Sequence, residues 1–495
     1  MASGFDLNAL ARFGAALPRP RGLDAIPAQI RPSGVPGEGD ASIESADTDA
    51  GERQARRRLV RLRLLDIGLG RGTHDRDHVD ASRAGSVRVR DLQVNDRRVP
   101  PVPQGVVLND AVTQWNAIMQ RTVAPANTLV QVRSAAIVQL AVFEAVNAIV
   151  GDYEPYLGTI SAPPGASPDA AAIAAAHRAL VTLFPGSAAD LNASRIDSLE
   201  AIPDGLAKDR GIAVGEAAAV ALLAHRADDG SGAITPYTPG TEPGDWRPTP
   251  PATLPALLPG LGQVEPFGLE DGARFRSSPP PALHSGKYEK DYNEVKAVGA
   301  VNSSVRPQDR TDVARFYAVV LAIPVWNEAA RQASAAQGKT LSENAHDFAL
   351  LAMAIADGLI SSFETKYHYN LWRPVTAIRA GDTDGNKKTE PDSNWAPLIN
   401  APPHPSYPSA HASTGYAARQ VLQRAYGKKG HAITLTSPLV PGVVLNYTSW
   451  EQITDDIDDA RVYGGIHFRF DQEAGALQGR RVGDYILRNY LRDVH

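Results

Sequence analysis

The stretch LSENAHDFALLAMAIADGLISSFETKYHYNLW, residues 341–372, constrains the fold of this chain more than any other. Apolar residues recur along it at helical spacing, which predicts one long helix whose apolar surface must be covered by other helices. The same periodicity runs through most of the sequence from Asn109 onward. No strand ladder of any length is expected. The sequence therefore predicts an all-α fold.

Composition divides the chain into an arm and a helical domain. Residues 1–105 mix Pro/Gly-rich stretches with an acidic patch and the arginine-rich run RQARRRLVRLRLLDIG. This composition predicts a disordered arm, although the arginine run could also tether a nucleic acid or a membrane surface. Residues 106–495 are predicted to form the helical domain, in which the Pro/Gly-rich residues 230–285 form a long ordered loop region.

Bulk composition excludes several classes of site and partner. The absence of cysteine excludes disulfides, thiolate metal sites, iron–sulfur clusters and cysteine nucleophiles. A formal charge of −5 gives no reason to expect nucleic acid as a partner. We expect no membrane insertion, because no apolar run looks long enough to span a bilayer. The encoded N-terminus shows no signal peptide, although a start codon assigned too far upstream would hide one and leave export open.

The first chemical motif is KYHYNLWRP, which contains two cations. Lys366 and Arg373 lie seven residues apart, so on a continuous helix both project from one face. Pro374 is expected to end that helix just past Arg373. The pair forms either a solvated surface or half of an anion site.

The second motif is HPSYPSAHASTGYAA, residues 404–418. Ser409 is a good N-cap for the following helix, whose first amides and dipole attract an oxyanion. His411 then lies in the first turn, close to whatever those amides hold. The alternative is an ordinary capped helix whose histidine faces solvent.

The third motif is DDARVYGGIHFRFD, residues 458–471. Arg461 and His467 are six residues apart, so they diverge on a continuous helix, but Gly464 and Gly465 can break that helix and turn both side chains to one point. Asp471 is four residues after His467 and could accept the second N–H of the imidazole. The alternative is a turn with a structural Arg–Asp pair.

In their order, the three motifs resemble the signature of vanadium-dependent haloperoxidases and the type 2 phosphatidic acid phosphatase superfamily. The resemblance runs from about residue 107 to the end and is tightest over 341–420 and 455–475. It implies two helical bundles with an oxyanion site at the end of one of them. The implied cofactor is vanadate, and phosphate can occupy the same site.

The resemblance also implies a role for each site residue. His467 is the residue bonded to vanadium, or the nucleophile on phosphorus in a phosphatase, and His411 is the acid–base group. Hydrogen bonds to the equatorial oxygens come from Lys366, Arg373, Ser409, the Ala410 amide and Arg461. Lys366, His411 and His467 are thus the expected catalytic residues, and Asp471 and His404 are expected to support them without binding the anion.

Two departures from the family pattern bear on this site. The family usually has glycine where this chain has Ala410, so the alanine must adopt a helical backbone to keep its amide in place. Haloperoxidases can also supply a carboxylate partner to the acid–base histidine, but the loosely matching segment RFYAVVLAIPVW contains no acid. How His411 is tuned is therefore left open.

Several functions are compatible with these residues. The resemblance favours a haloperoxidase that acts on hydrogen peroxide, a halide and a small organic acceptor, and it is compatible with a homo-oligomer. The alternatives are a soluble acid phosphatase acting through a phosphohistidine at His467, and a protein that only binds an oxyanion. A zinc hydrolase built from His368, His404, His411 and His467 lacks the HExxH motif.

The residue at position 404 bears on which halide is oxidised. By resemblance, chloroperoxidases have phenylalanine at the matching position and algal bromoperoxidases have histidine. An imidazole there changes the polarity of the halide pocket and can carry a proton. We therefore expect His404 to favour bromide and iodide over chloride.

Overall fold

The computed structural model describes residues 110–494, which contain thirteen α-helices and one two-stranded hairpin. The predicted arm, residues 1–105, lies outside the described residues. The helices of the first half are α1 (Ala111–Val123), α2 (Thr128–Val150), α3 (Pro168–Leu183), α4 (Ala188–Glu200), α5 (Leu206–His225), α6 (Gly286–Val298) and α7 (Gln308–Val319). The remaining elements are α8 (Ala322–Gln337), α9 (Leu341–Tyr369), α10 (Pro374–Arg379), α11 (Ala410–Tyr426), β1 (Lys429–Thr436), β2 (Val444–Ser449), α12 (Trp450–Tyr463) and α13 (Arg469–Asn489).

The helices form two bundles that share one apolar core. In the first bundle α3 packs against α1, α2 and α5, and in the second α9, α11 and α13 pack together, with α12 against α7. Helix α9 also packs against α2, so the largest cluster of buried apolar residues is continuous across both bundles. The all-α prediction is confirmed.

Helix α9 is the long helix predicted from the sequence. It starts with a capping box in which Thr340 and Glu343 satisfy each other's backbone N–H groups, and almost every residue from Phe348 to Phe363 is buried. It ends at Tyr369 because Asn370 adopts a left-handed conformation with φ of 53°. The end of α9 therefore lies three residues before the end of the predicted segment.

Two helices, α2 and α9, are long and apolar enough to cross a membrane, and the bent pair α7–α8 would be a third if it were counted as one span. The expectation that no apolar run reaches this length was wrong. In the structure 89% of the most apolar window of α2 and 94% of that of α9 are buried within the protein. Packing in the core therefore accounts for their apolar character.

The hairpin of β1 and β2 contradicts the expectation that the chain contains no strand ladder. The strands pair antiparallel, with Ile433 opposite Tyr447 and Leu435 opposite Leu445. Only one face is partly buried, so the alternation of apolar and polar residues is short and weak as a sequence signal.

The segment between α5 and α6 contains a single 3-10 turn, Leu261–Gln263. It is held against α9 by Asp357, a buried carboxylate that accepts the backbone N–H groups of Phe267, Gly268 and Leu269 at 2.6, 2.7 and 3.0 Å. These hydrogen bonds fix a stretch without regular structure to the central helix.

Helices α11 and α13 approach each other closely at two glycines of α13. A Cβ atom on Gly475 would lie 2.5 Å from the Ser409 carbonyl oxygen, and one on Gly479 would lie 2.2 Å from that of Ser413. Only glycine permits this approach. It brings the first turn of α11 next to the start of α13, where the second and third motifs meet.

Candidate active site

The first turn of α11 leaves amides available for a ligand. Ser409 is the N-cap, and its side-chain oxygen accepts the Ala412 N–H at 3.3 Å. Ala410 is the first helical residue and has no positive φ, so the alanine keeps the amide in the orientation that glycine would give. Among the described residues, the N–H groups of Ala410 and His411 have no hydrogen-bond acceptor.

His467 is fixed from both sides of its ring. Its Nδ1 lies 2.7 Å from the Asp471 carboxylate, and its Nε2 lies 3.0 Å from Nη1 of Arg373. Since arginine can only donate, Nε2 is the acceptor and Nδ1 carries the proton given to Asp471. The lone pair of His467 is therefore on Nε2, where it accepts from Arg373 in this structure and where a metal would bind.

Asp471 is itself held by hydrogen bonds. It is the third residue of α13, and its Oδ2 accepts the Phe468 N–H at 3.1 Å and the Ser406 hydroxyl at 2.6 Å. Burial raises the pKa of Asp471 to about 7, while the hydrogen bond from Ser406 and the charges of Lys366 and Arg373 oppose that rise.

The turn between α12 and α13 brings Arg461 to the same site. Helix α12 ends at Tyr463, Gly464 is its C-cap, and Gly465 has φ of 79°. A side chain on Gly465 would also collide with the Gly299 carbonyl at 2.4 Å. The glycine pair thus breaks the helix and allows Arg461 and His467 to line one cavity.

Arg373 reaches the site by a different route from the one predicted. Helix α9 has ended at Tyr369, and Arg373 is the extended N-cap of α10, with Pro374 at the first helical position. The prediction that Lys366 and Arg373 share one face of a helix ending at Pro374 was wrong, because Asn370 ends α9 and Pro374 starts the next helix. The guanidinium of Arg373 is buried between the His404 and Ile466 carbonyls, which accept from Nε and Nη1 at 2.8 Å each.

Lys366 is fully buried and donates to the second motif. Its ammonium group donates three hydrogen bonds, to the carbonyl oxygens of Pro405, Ser406 and Pro408. It therefore holds the loop before α11 in place. Lys366 and Arg373 are fully buried and are not among the residues that line the cavity.

The cations at this site repel one another. Burial and then the nearby charge of Arg373 lower the pKa of Lys366 well below its usual range, and the same two causes lower the pKa of Arg461. With Lys366, Arg373 and Arg461 cationic and Asp471 ionised, the site holds two positive charges in excess before any histidine is protonated. Buried charge of this kind needs an anion.

His411 differs from His467 in having no fixed partner. Its Nε2 is buried and makes no hydrogen bond within the described residues, and no carboxylate contacts the ring there. Burial and then the charge of Arg461 lower its pKa well below the usual range. The imidazole is therefore neutral at neutral pH and available to take a proton.

His404 lies at the same site and contacts Arg373. Its Nδ1 accepts a hydrogen bond from Nη2 of Arg373 at 3.0 Å, and its ring centroid lies 5.0 Å from that of Phe363. Burial and the charges of Arg373 and Lys366 lower the pKa of His404 well below its usual range. With Nδ1 accepting, the proton of the neutral ring is on Nε2.

A cavity of about 80 Å³ connects these groups. It is lined by His404, Ala410, His411, Arg461 and His467, with Phe363 and apolar residues of the long loop region on its other side. Its volume is several times the roughly 10–15 Å³ that one water molecule needs. The four histidines considered as zinc ligands do not form a metal-binding cluster within residues 110–494.

The residues present fit a multiply charged oxyanion. In addition to the excess positive charge, Nε of Arg461 and Nε2 of His411 are buried without hydrogen-bond partners. An anion with several oxygens would satisfy the charges and the Arg461 donor, and it would accept a hydrogen bond from His411 Nε2 once that nitrogen is protonated. Vanadate and phosphate meet this requirement.

Sequence reasoning missed Ser406 and Tyr317. The Ser406 hydroxyl holds Asp471, and the Tyr317 carbonyl oxygen accepts from Nη1 of Arg461 at 2.7 Å. Ser406 lies within the second motif, residues 404–418, so its place in the sequence could have identified it as a site residue. The Tyr317 carbonyl lies 144 residues from Arg461 and has no side-chain signature.

Known proteins resemble this chain in sequence and in fold. Residues 346–494 match the family described as the VCPO second helical-bundle domain, and this range contains every site residue discussed above except Tyr317. A vanadium chloroperoxidase from Curvularia inaequalis is 27% identical to this chain. The match covers 30% of this chain and 30% of the length of that protein.

Solved structures share the fold over most of the chain. A bacterial vanadium-dependent iodoperoxidase superposes with a TM-score of 0.66 at 24% identity, covering 79% of this chain and 99% of that one. A holo-type bacterial vanadium-dependent chloroperoxidase gives a TM-score of 0.61 at 18% identity, covering 78% and 98%.

Proposed function

We propose that this chain, whose residues 346–494 match the VCPO second helical-bundle domain, is a vanadate-dependent haloperoxidase. The reaction would convert hydrogen peroxide, a halide ion and a proton into hypohalous acid and water. The observation that carries the proposal is the buried excess of positive charge beside His467, whose Nε2 lone pair is held by the Asp471 contact.

The residues that would hold vanadate are those of the three motifs. His467 Nε2 would bond to vanadium, and Arg461, Ser409 and the Ala410 amide would donate to its oxygens. Arg373 does not line the cavity in this structure, and it would donate to those oxygens once its Nη1 gives up the hydrogen bond to His467 Nε2. Lys366 contributes positive charge and holds the loop before α11 through its three carbonyl contacts. Bound vanadate supplies a Lewis-acidic centre that makes peroxide a better electrophile toward a halide.

His411 is the residue proposed to move protons. The reaction consumes one proton per halide oxidised, and a neutral imidazole without a fixed partner can take a proton at Nε2 and release it. Burial and the charge of Arg461 lower the pKa of His411, so its imidazolium is a stronger acid than a free one, and the charge of a bound anion would raise that pKa again.

The test compares two activities on the same protein. Chelator-treated protein should gain peroxide-dependent bromide oxidation when orthovanadate is added, and excess phosphate should inhibit it by competing for the site. Hydrolysis of p-nitrophenyl phosphate is measured in parallel without vanadate. Ester turnover with no vanadate-dependent oxidation would replace the proposal with a phosphatase, and anion binding with neither activity would replace it with an oxyanion-binding protein.

A further inference from the structure

A second, larger cavity lies beside the site. It measures about 490 Å³ and is formed mainly by two stretches of the long loop region, 230–237 and 255–264. Its walls include Ile234, Tyr237, Ala256, Leu258, Leu261 and Val264. This volume falls in the range of roughly 300–1,000 Å³ that is typical of small-molecule sites. None of the described side chains that line it is acidic or basic.

Leu258 separates this cavity from the oxyanion site and lines both. Its φ of 53° is in the left-handed region, which a branched side chain rarely adopts. The preceding residue is held from both sides, since the Leu257 N–H donates to the Pro403 carbonyl at 2.7 Å and its carbonyl accepts the Tyr367 hydroxyl at 2.6 Å. A residue held in an unfavourable backbone conformation between two cavities suggests a functional partition.

The larger cavity has a fixed frame. At one end Asp229 accepts the Ser231 N–H at 3.1 Å and pairs with Arg133 at 2.6 Å. At the other end the ring of Tyr237 packs edge-on against Tyr367 of α9, with centroids 5.0 Å apart. The cavity is therefore formed before a ligand arrives, which lowers the entropic cost of binding one.

We propose that this cavity binds the organic acceptor of the halogenation reaction, and that the acceptor is a neutral phenol. Leucine, isoleucine and valine side chains suit an aromatic ring, while the hydroxyls of Ser231 and Thr235 can hydrogen-bond a phenolic group. The absence of acidic and basic side chains from its described lining disfavours a charged acceptor. This inference rests on the proposed haloperoxidase function.

The halogen-transfer step balances with the proposed product. A ring carbon of the phenol uses a π-electron pair to bond the halogen of hypohalous acid, and the O–X bond breaks with its electrons on oxygen. The ring proton then leaves and joins the hydroxide as water. Hypohalous acid formed in the small cavity would meet a bound phenol across Leu258 before it reaches solvent, so binding raises the effective concentration of the acceptor.

The experiment compares two acceptors and two matched variants. Thymol is neutral and fits the cavity, whereas 4-hydroxybenzenesulfonate carries a negative charge. Ala256→Trp fills the cavity, and Ala252→Trp places the same side chain at an exposed position of the same loop outside the lining. Both acceptors compete in one solution with peroxide and bromide, and the ratio of brominated products is compared with the ratio that reagent hypobromite gives. This ratio does not depend on the overall rate.

Wild type and Ala252→Trp should favour thymol at least several-fold beyond the reagent ratio, and Ala256→Trp should return to the reagent ratio. Calorimetric titration of thymol into protein without vanadate should show binding to wild type and Ala252→Trp, weakened at least about tenfold in Ala256→Trp. A reagent ratio in the wild type, no thymol binding to the wild type, or equal losses in both variants would overturn the inference. Thymol binding without any halide oxidation would instead show that the proposed function had failed.

Discussion

Two histidines line the same cavity under opposite constraints. His467 is fixed at both ring nitrogens, by Asp471 at 2.7 Å and by Arg373 at 3.0 Å. His411 has a buried Nε2 with no hydrogen bond within the described residues and lies in the first turn of α11. Both imidazoles have pKa values lowered by burial and by nearby cations. Their difference therefore lies in their partners and not in their electrostatic surroundings.

This difference suggests a division of roles. A ligand histidine needs a fixed tautomer and ring orientation, which a carboxylate at the other nitrogen supplies. A proton carrier must exist in both protonation states, and a permanent partner would favour one of them. We therefore propose that the site separates anion binding, at His467, from proton transfer, at His411.

The largest expected effect comes from breaking the pair one residue at a time. His467→Ala should abolish halide oxidation and weaken vanadate binding by more than the roughly 10–100-fold lost when only the carboxylate behind a ligand histidine is removed. His411→Ala should lose most activity but keep vanadate affinity close to that of the wild type. Vanadate titration and bromide oxidation are measured on both variants, with melting temperatures to verify folding. Equal affinity losses in the two variants would contradict the division of roles.

The next largest effect tests the contact between His467 and Asp471 alone. Asp471→Asn keeps the shape of the side chain but removes the charge that orients Nδ1, so activity or vanadate affinity should fall roughly 10–100-fold. Asp291→Asn is the matched control, because Asp291 is also a buried carboxylate that accepts a backbone N–H, from Phe470 at 2.8 Å, beside the same helix start. Similar losses in both variants would mean that Asp471 acts only through stability.

The sequence predicted those parts of this site that depend on local rules. Ser409 as an N-cap and the break at Gly464 and Gly465 follow from the chemistry of nearby residues, and the structure has both. The prediction that Arg373 lies on the same helix as Lys366 was wrong, because Asn370 adopts a left-handed conformation and ends α9 early. Asparagine signals such a helix end only weakly.

Longer-range features had no sequence signal. The glycines that bring α13 against α11 are recognisable only when the partner helix is known, as at Gly479 beside the Ser413 carbonyl. The β1–β2 hairpin was missed because its strands are short and largely exposed. Bundles follow from helical periodicity, but the contacts between them depend on tertiary packing.

A smaller effect is expected from the proton that His411 takes up when an anion binds. Sulfate keeps its charge between about pH 5.5 and 8, so any change in its affinity over this range comes from protonation of groups on the protein. An anion beside His411 raises the low pKa of this imidazole, so the bound protein takes up protons and affinity should increase as pH falls, by up to about tenfold per unit for one proton. Calorimetric titrations across this range measure the slope.

His411→Gln is the control for the sulfate titrations, because it keeps a polar side chain that does not titrate. Asp471, whose pKa is raised to about 7, titrates in the same range and remains in both proteins. The difference between the two slopes therefore isolates His411. Identical slopes would show that His411 takes up no proton when the anion binds.

The smallest expected effect tests whether the neighbour of Arg373 sets halide preference. His404 offers Nδ1 to Arg373 and, as a neutral ring, presents an Nε2–H beside the cavity that His411 and His467 line. We expect the wild type to oxidise bromide and iodide well and chloride poorly, and His404→Phe to shift the bromide-to-chloride ratio a few-fold toward chloride.

His404→Asn separates two causes, because its amide oxygen can still accept from Arg373 while the imidazole is lost. If His404→Asn keeps the wild-type ratio and His404→Phe shifts it, the contact with Arg373 sets the preference. If both shift, the imidazole itself does. A wild type that already oxidises chloride efficiently, or a ratio unchanged in both variants, would remove His404 from halide selection, and the contrast between His467 and His411 would then describe the chemistry of the site without its third histidine.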